Sequence, residues 1–269
     1  MAGVESAGLT DVGKKRKGNE DAFFTDDNLK LYVVADGMGG HLAGEVASDL
    51  VVRTIRDYME RFDSEAEVEE LEDADKTLSK DANRLIAGIN LANRVVYGAS
   101  HRKSAYRGMG ATVSAVYFSE ETLIASNVGD SPIYLIRKGE IETLSVPHTV
   151  VAEQMALNPG KKFGKEYSHM LTRAMGVEER VLADICEIQC FKDDILVIAS
   201  DGLTNKVRPD EIAGVVVGKR PAKSSQILVD MANERGGEDN ITVIVLKVKN
   251  VHRKRRGILG MISRLFRIG

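Results

Sequence analysis

Residues 31–41 read LYVVADGMGGH, an apolar run that ends in an aspartate and is followed by three glycines within four positions. The run LYVVA, bounded by a turn-forming Asp-Gly pair, predicts a buried strand over 31–35. Asp36 is then expected at the rim of a sheet, where a rigid strand holds its carboxylate in place. The same arrangement, an apolar strand that ends in an acidic residue, recurs along the chain.

This recurrence places a set of carboxylates at or beside predicted strand ends. The other members are Asp130 in SNVGD, Asp201 in VIASDG, Asp239 in front of the apolar run 241–248, and Glu20 with Asp21. An oxygen-only ligand set favours magnesium or manganese over zinc. Two such ions about 4 Å apart hold a hydroxide between them and clamp phosphoryl oxygens, so the pattern favours a phosphate-ester hydrolase. A single Asp-Gly pair is also an ordinary turn, and the prediction depends on the combination.

The remaining apolar runs predict further strands and three helices in one α+β domain. Helices are expected where apolar residues recur every three or four positions, and the last of them lies between Pro221 and the glycine pair at 236–237. No repeat or linker divides the chain. The predicted strands are 111–118, 122–128, 132–137, 195–199 and 241–248, and the predicted helices are 43–61, 76–98 and 221–235.

Charge and composition exclude several classes of protein. The net charge of −3 lacks the basic excess of a nucleic-acid binder. Cys186 and Cys190 are too few for a disulfide framework or a four-thiolate zinc site, and both are expected in the core. No apolar run reaches the roughly 18 residues that span a bilayer, and the first residues lack a cationic segment followed by an apolar run, so a cytoplasmic enzyme is expected.

The charges are unevenly distributed along the chain. Residues 251–269 hold six Lys/Arg and no acid, which leaves 31 basic and 40 acidic side chains, a net of −9, in residues 1–250. Residues 60–75 hold nine acids and one arginine, which predicts a solvated connection between the first two helices. The body of the protein is therefore acidic and its C-terminal end is basic.

Several sequence blocks, taken together and in this order, resemble the metal-dependent protein phosphatase family, also called protein phosphatase 2C. The blocks are TDVGKKRKGNEDA (10–22), ADGMGGH (35–41), AGEVAS (43–48), GMGAT (108–112), NVGDS (127–131), LTRAMG (171–176), ASDGL (199–203) and GGEDNITVIV (236–245). The resemblance implies a β-sandwich of two antiparallel sheets flanked by helices on both faces, in four layers. It also implies a bacterial-type phosphatase acting on phosphoserine and phosphothreonine, with the metal ions at one end of the sandwich.

The resemblance assigns metal-binding roles to the carboxylates. It implies that Asp36 bridges two manganese or magnesium ions, that the Gly37 carbonyl binds one of them, and that Asp201 and Asp239 complete the second site. A hydroxide that bridges these ions is the expected nucleophile, and no side chain is expected to attack. Three further residues are implied in supporting roles: Asp130, which forms a weaker third site with Asp201, and Glu20 and Asp21, which act through metal-bound water.

Two side chains are implied to act on the substrate itself. Arg16 matches the arginine that grips the phosphate, for which a guanidinium fork is suited because it pairs two oxygens at once. His41 matches the general acid that protonates the leaving seryl or threonyl oxygen. The alternatives are that Arg16 is an ordinary surface residue of the basic stretch KKRK and that His41 is structural.

The chain departs from the family pattern at two places. Pro132 follows NVGDS where the family usually has Arg, and residues 147–149 read Pro-His-Thr in place of Asp-His-Ser. Both changes lie on the expected substrate side and remove no implied metal ligand. A flap particular to this chain is expected over 149–170, with His148 and His169 as structural or flap residues.

The tail lies beyond the family blocks. Its apolar residues recur at helical spacing between arginines, which predicts a basic amphipathic helix that contacts an anionic membrane or an acidic partner, or packs on its own domain. Residues 1–250 are thus expected to form the catalytic domain and 251–269 a separate tail. The chain is expected to act as a monomer on phosphorylated proteins that a serine/threonine kinase modifies. A catalytically inactive phosphoprotein-binding module and a phosphoesterase for small molecules remain alternatives.

Overall fold

The computed structural model describes residues 2–39, 42–61, 74–158, 167 and 170–251 of the 269-residue chain. Over these residues the strands are β1 (Ala2–Asp11), β2 (Asp21–Asp26), β3 (Leu31–Met38), β4 (Gly110–Ala111), β5 (Val113–Ser119), β6 (Thr122–Val128), β7 (Ile133–Arg137), β8 (Glu140–Thr143), β9 (Asp184–Gln189), β10 (Ile195–Ala199) and β11 (Ile241–Val251). The helices are α1 (Leu42–Arg61), α2 (Lys80–Arg102), α3 (Val150–Leu157), α4 (Asp201–Thr204), α5 (Pro209–Val216) and α6 (Pro221–Glu234), with a short 3₁₀ turn at Ser104–Tyr106.

The strands form two antiparallel sheets. One has the order β1-β11-β10-β7-β8, and the other has the order β2-β3-β5-β6-β9, with β4 paired to the end of β3. Helices α1 and α2 pack on the outer face of the second sheet, and α5 and α6 pack on the outer face of the first. The expected four-layer sandwich, with helices on both faces, is therefore confirmed.

Successive side chains of the central strands point to opposite faces of their sheet, which produces these layers. In β3, Val33 and Ala35 face the helices α1 and α2, whereas Tyr32 and Val34 face the space between the sheets. In β10 and β11 successive residues divide in the same way between the inter-sheet core and the layer that contacts α5 and α6. Because both faces of these strands are buried, the strands read as continuous apolar runs and are recognisable in the sequence.

The ends of some strands and helices differ from the prediction, because hydrogen bonds rather than the local sequence pattern decide where these elements begin and end. The expected strand 111–118 is divided into β4 and β5 at Thr112, where the Asp36 N–H of β3 donates to the Thr112 hydroxyl at 3.0 Å. The expected helix 76–98 runs instead from Lys80 to Arg102, since the Ser79 hydroxyl caps its start by accepting from the Ala82 N–H at 3.1 Å. The remaining predicted strands and helices occur within three residues of their expected ends.

One of the remaining expectations is corrected by the structure, and others concern residues outside the described ranges. Cys190 is buried, but Cys186 in β9 is only half-buried, so it belongs to the edge of the core rather than its interior. Within the described ranges, no helix is both long enough and apolar enough to cross a membrane. Residues 62–73 of the acidic connection and residues 252–269 of the basic tail lie outside the described residues, and the division into a catalytic domain and a tail stays a prediction.

Candidate active site

The first pair of acidic residues is brought together by strand register. Asp21 and Asp36 are direct partners across the antiparallel strands β2 and β3. The end of β3 is held by Thr112, whose hydroxyl accepts from the Asp36 N–H at 3.0 Å. Thr112 in turn hydrogen bonds to the buried Ser131 at 2.8 Å. The carboxylate predicted at the rim of the sheet therefore sits on a strand end that is fixed on both sides.

Gly37 continues this strand end at a crowded position. Its N–H donates to the Glu20 carbonyl at 3.0 Å. A Cβ at this position would lie within 2.5 Å of that same carbonyl oxygen and closer still to the Gly44 carbonyl in α1. Only glycine lets the β1–β2 loop, the end of β3 and the first turn of α1 meet here.

The first sheet, through β10 and β11, contributes Asp201 and Asp239. Asp201 is the first residue of α4, directly after β10, and Asp239 lies two residues before β11. Asn240 links this region to the β1–β2 loop, since its side chain donates to the carbonyls of Val12 and Gly18 and accepts from the Glu20 N–H, all within 3.0 Å. The two sheets therefore deliver their acidic residues to one end of the sandwich.

Ser200 adds a further link between the sheets. Its hydroxyl donates to Asp21 Oδ2 at 2.8 Å and accepts from the Thr242 N–H at 2.9 Å. Ser200 and Asn240, whose hydrogen bonds link the elements of the site, therefore lie in the same motifs as Asp201 and Asp239. Sequence reasoning missed both, although each stands beside a carboxylate that it had singled out.

Arg16 reaches the site from the β1–β2 loop. Its Nη2 lies 2.8 Å from Asp239 Oδ2, and about half of the side chain is exposed. Partial burial works against its charge, but the attraction of Asp239 and its hydrogen bond outweigh this and raise the pKa of the guanidinium. Arg16 is therefore a permanent cation at the edge of an acidic site.

These residues surround one cavity of about 520 Å³. Five carboxylates and two guanidinium groups are among its lining groups, so its walls carry a net negative charge. The lining includes Arg16, Glu20, Asp36, Gly37, Asp130, Asp201, Asp239 and Arg173. The predicted acidic residues thus converge on one place, with Asp21 behind the wall and hydrogen bonded to Ser200.

The negative charges of the carboxylates in and behind the cavity wall repel one another. Burial, followed by the charges of Asp201 and Asp239, raises the pKa of Asp21 to about 6 even though Thr242 and Ser200 donate to it. Burial and the surrounding carboxylates, Asp21 first among them, raise the pKa of Asp36 well above its ordinary value. Cations placed in this cavity would remove that repulsion.

The residues present fit divalent cations in donor chemistry. The donors are carboxylate and carbonyl oxygens, which magnesium and manganese prefer. One buried carboxylate oxygen, Asp21 Oδ1, has no hydrogen-bond partner within the described part of the chain. Among the described residues, no group of three or more His, Cys, Asp or Glu side chains is arranged so that it could hold a metal ion. The carboxylates line the cavity wall, and Asp239 turns towards Arg16.

A second arginine, Arg173, also lines the cavity. Its Nη1 donates to Asp184 Oδ1 at 2.9 Å and lies 3.2 Å from His148 Nε2. His148 is buried, and its Nδ1 accepts from the Gly129 N–H at 3.1 Å, next to Asp130. Arg173 lies within the block LTRAMG, and the sequence alone predicted no role for it. His41 and His169 lie outside the described residues.

Comparison with known sequences agrees with this geometry. A family model for protein phosphatase 2C matches residues 14–237. The serine/threonine phosphatase stp of Listeria welshimeri is 33% identical over 254 residues, which cover 92% of this chain and 96% of that protein. The protein phosphatase PhpP of Streptococcus pneumoniae is 29% identical over 252 residues, which cover 91% and 98%.

Comparison with solved structures extends the similarity to the whole fold. The serine/threonine phosphatase PstP/Ppp of Mycobacterium tuberculosis superposes with a TM-score of 0.78 at 28% identity, covering 92% of this chain and 99% of the other. The catalytic domain of PstP in complex with two manganese ions superposes with a TM-score of 0.77 at 29% identity, with the same coverage. The chain therefore belongs to the protein phosphatase 2C family and is a serine/threonine protein phosphatase.

Proposed function

We propose that this phosphatase hydrolyses phosphoserine and phosphothreonine esters at a dinuclear manganese or magnesium centre in the acidic cavity. Asp36, the Gly37 carbonyl, Asp201 and Asp239 would hold the two ions. Asp130, with Asp201, would form a weaker third site, and Glu20 and Asp21 would act through water. The observation that carries the proposal is the convergence on one cavity, which Arg16 also lines, of acidic residues from both sheets: Glu20, Asp36, Asp130, Asp201 and Asp239.

When bound, the ions supply Lewis-acid stabilisation of the phosphoryl oxygens and an activated water. The chain's own residues supply position and charge. Thr112 and Ser200 fix the strand ends that carry the acidic side chains, and Asn240 fixes the loop that carries Arg16. The Arg16 guanidinium is placed at the cavity wall, where its free N–H groups can bind two phosphate oxygens.

The leaving serine or threonine oxygen needs a proton, since an alkoxide leaves poorly. His41 is proposed as its donor on the resemblance alone. The proposal extends to substrates that a serine/threonine kinase has phosphorylated and to action as a monomer. It also includes contact of the basic tail 251–269 with an acidic partner or an anionic membrane surface.

Hydrolysis of a phosphothreonine peptide by the purified chain tests this proposal. Phosphate release is expected with manganese or magnesium and is expected to stop when a chelator is added. Titration of each metal would show which one the centre prefers. Equal release in the presence and absence of chelator would contradict the dinuclear centre.

Replacement of Arg16 by alanine is expected to raise KM by about 10- to 100-fold with a smaller change in kcat. A hydrogen bond to a charged group is worth about 1.5–3 kcal/mol, and Arg16 would contribute chiefly to holding the phosphate. Steady-state kinetics on the phosphothreonine peptide measure this. Lys17→Ala in the same basic stretch is the matched control and should leave KM nearly unchanged. Similar effects of the two variants would favour general surface charge over a phosphate fork.

A further inference from the structure

The catalytic cavity continues into a second opening along the protein surface. This groove has a volume of about 450 Å³ and shares Thr172, Arg173, Ala174 and Val177 with the cavity. Beyond these residues it is lined by Glu178, Arg180, Val181 and Leu182. A polypeptide whose phosphorylated side chain enters the cavity therefore has a path for its neighbouring residues over segment 177–182.

The wall of the groove is firmly attached to the fold. Asn93 in α2 is buried, and its side chain accepts from the Gly176 N–H at 2.7 Å. The same side chain donates to the carbonyls of Glu178 and Glu179 at 3.0 and 3.1 Å. Three hydrogen bonds from one buried amide hold this loop in a single position, so the groove is pre-formed.

The other end of the wall is braced from the cavity side. The Arg173 guanidinium donates to Asp184 at 2.9 Å and to the Leu182 carbonyl at 3.4 Å. His148 lies against both charged groups, within 3.4 Å of Asp184. Arg173 thus ties the backbone of the groove to the cavity that it also lines.

This fixed wall presents apolar side chains to solvent. Val181 and Ala183 turn inward and pack against the core beneath α1 and α2. Leu182 between them is 70% exposed, and Val177 at the junction with the cavity is 54% exposed. Isolated exposed apolar residues are common on protein surfaces. Here two of them flank a pre-formed groove that opens from the catalytic cavity, which points to an apolar ligand group.

We propose that the groove over 177–182 binds an apolar side chain of the phosphoprotein substrate, close in sequence to the phosphorylated residue. The proposal rests on the cavity being the phosphate site. An extended chain advances about 3.3 Å per residue, so the apolar side chain should lie within about three positions of the phosphoresidue. Leu182 then acts as a specificity-determining contact that selects among phosphoproteins.

The test uses phosphothreonine peptides that differ only in leucine or serine at each of the three positions on either side. The wild-type chain is expected to favour leucine at one of these positions by about tenfold in kcat/KM, as partial burial of one leucine would give. In Leu182→Ser the preference should fall to about twofold or less, whereas Leu182→Met should keep it. Val217→Ser removes an exposed valine that lines neither the groove nor the cavity, and it is the matched control.

Two further measurements separate this proposal from the proposed function. Hydrolysis of a small aryl phosphate reports on the cavity alone, and fluorescence anisotropy of labelled phosphopeptides reports on binding without turnover. A leucine preference in anisotropy that Leu182→Ser removes would support the groove even if hydrolysis failed. Absence of any leucine preference in the wild type, or its persistence in Leu182→Ser, would overturn the groove while aryl phosphate hydrolysis upheld the cavity.

Discussion

Replacement of Asp36 by asparagine is expected to lower manganese-dependent hydrolysis of a phosphothreonine peptide by about 10³-fold or more, with the fold intact. Stabilisation of phosphoryl charge by bound metal is worth several kcal/mol, and each 1.4 kcal/mol or so of barrier changes the rate about tenfold. Burial and then the charges of Asp21, Asp201, Asp239 and Asp130 raise the pKa of Asp36. Its loss should therefore disturb both proposed metal positions at once.

The same substitution should not destabilise the metal-free protein. Burial and neighbouring carboxylates raise the pKa of Asp36, so its ionisation destabilises the folded state as pH rises through that pKa. Asparagine has nearly the same shape and lacks this ionisation. In chelator, the thermal midpoint of Asp36→Asn at neutral pH is expected to equal or exceed that of the wild type.

Asp230→Asn provides the control, because Asp230 is exposed on α6 and does not line the cavity. It should retain wild-type hydrolysis and a wild-type thermal midpoint. Full activity in Asp36→Asn would refute the proposed metal centre. A lowered midpoint together with lost activity would indicate a structural role for this carboxylate instead.

The central strands and the longer helices could be predicted because their own residues carry the pattern. Strands β3, β10 and β11 are buried on both faces over most of their length and are mainly apolar there, and α1 has a continuous apolar stripe. Strand β1 reads AGVESAGLTD, which has little β-propensity, and it forms through pairing with β11 along ten residue pairs. Strands β2, β8 and β9 and the short helices α3, α4 and α5 were also missed.

The candidate site likewise contains residues that could be predicted from the sequence and residues that could not. The acidic residues could be singled out because carboxylates at the ends of apolar strands are chemically distinctive. The groups that position them are neutral and depend on distance in space: Thr112 lies 76 residues from Asp36, and Asn240 lies 220 residues from Glu20. No local pattern indicates that these side chains meet. Arg173 was missed because its pairing with Asp184 requires β9, which the sequence analysis did not identify.

Replacement of Asp239 by asparagine is expected to raise the manganese concentration for half-maximal activity by at least about 100-fold and to lower turnover at saturating metal. A carboxylate that binds metal supplies charge as well as an oxygen, and an amide supplies only the oxygen. Asp239 also pairs with Arg16 at 2.8 Å, so the variant would remove a metal ligand and release the proposed phosphate fork together. Manganese titrations of hydrolysis measure the first effect, and KM at saturating manganese measures the second.

The adjacent residue supplies the sharpest control for this variant. Glu238 is exposed and pairs with Lys206, and it does not line the cavity. Glu238→Gln removes the same charge one position away and should leave the manganese titration unchanged, since an exposed ion pair contributes little. Similar shifts in both variants would mean that manganese responds to the general negative charge of this loop. A shift confined to Asp239→Asn would identify Asp239 as a ligand, because charge alone differs little between the two positions.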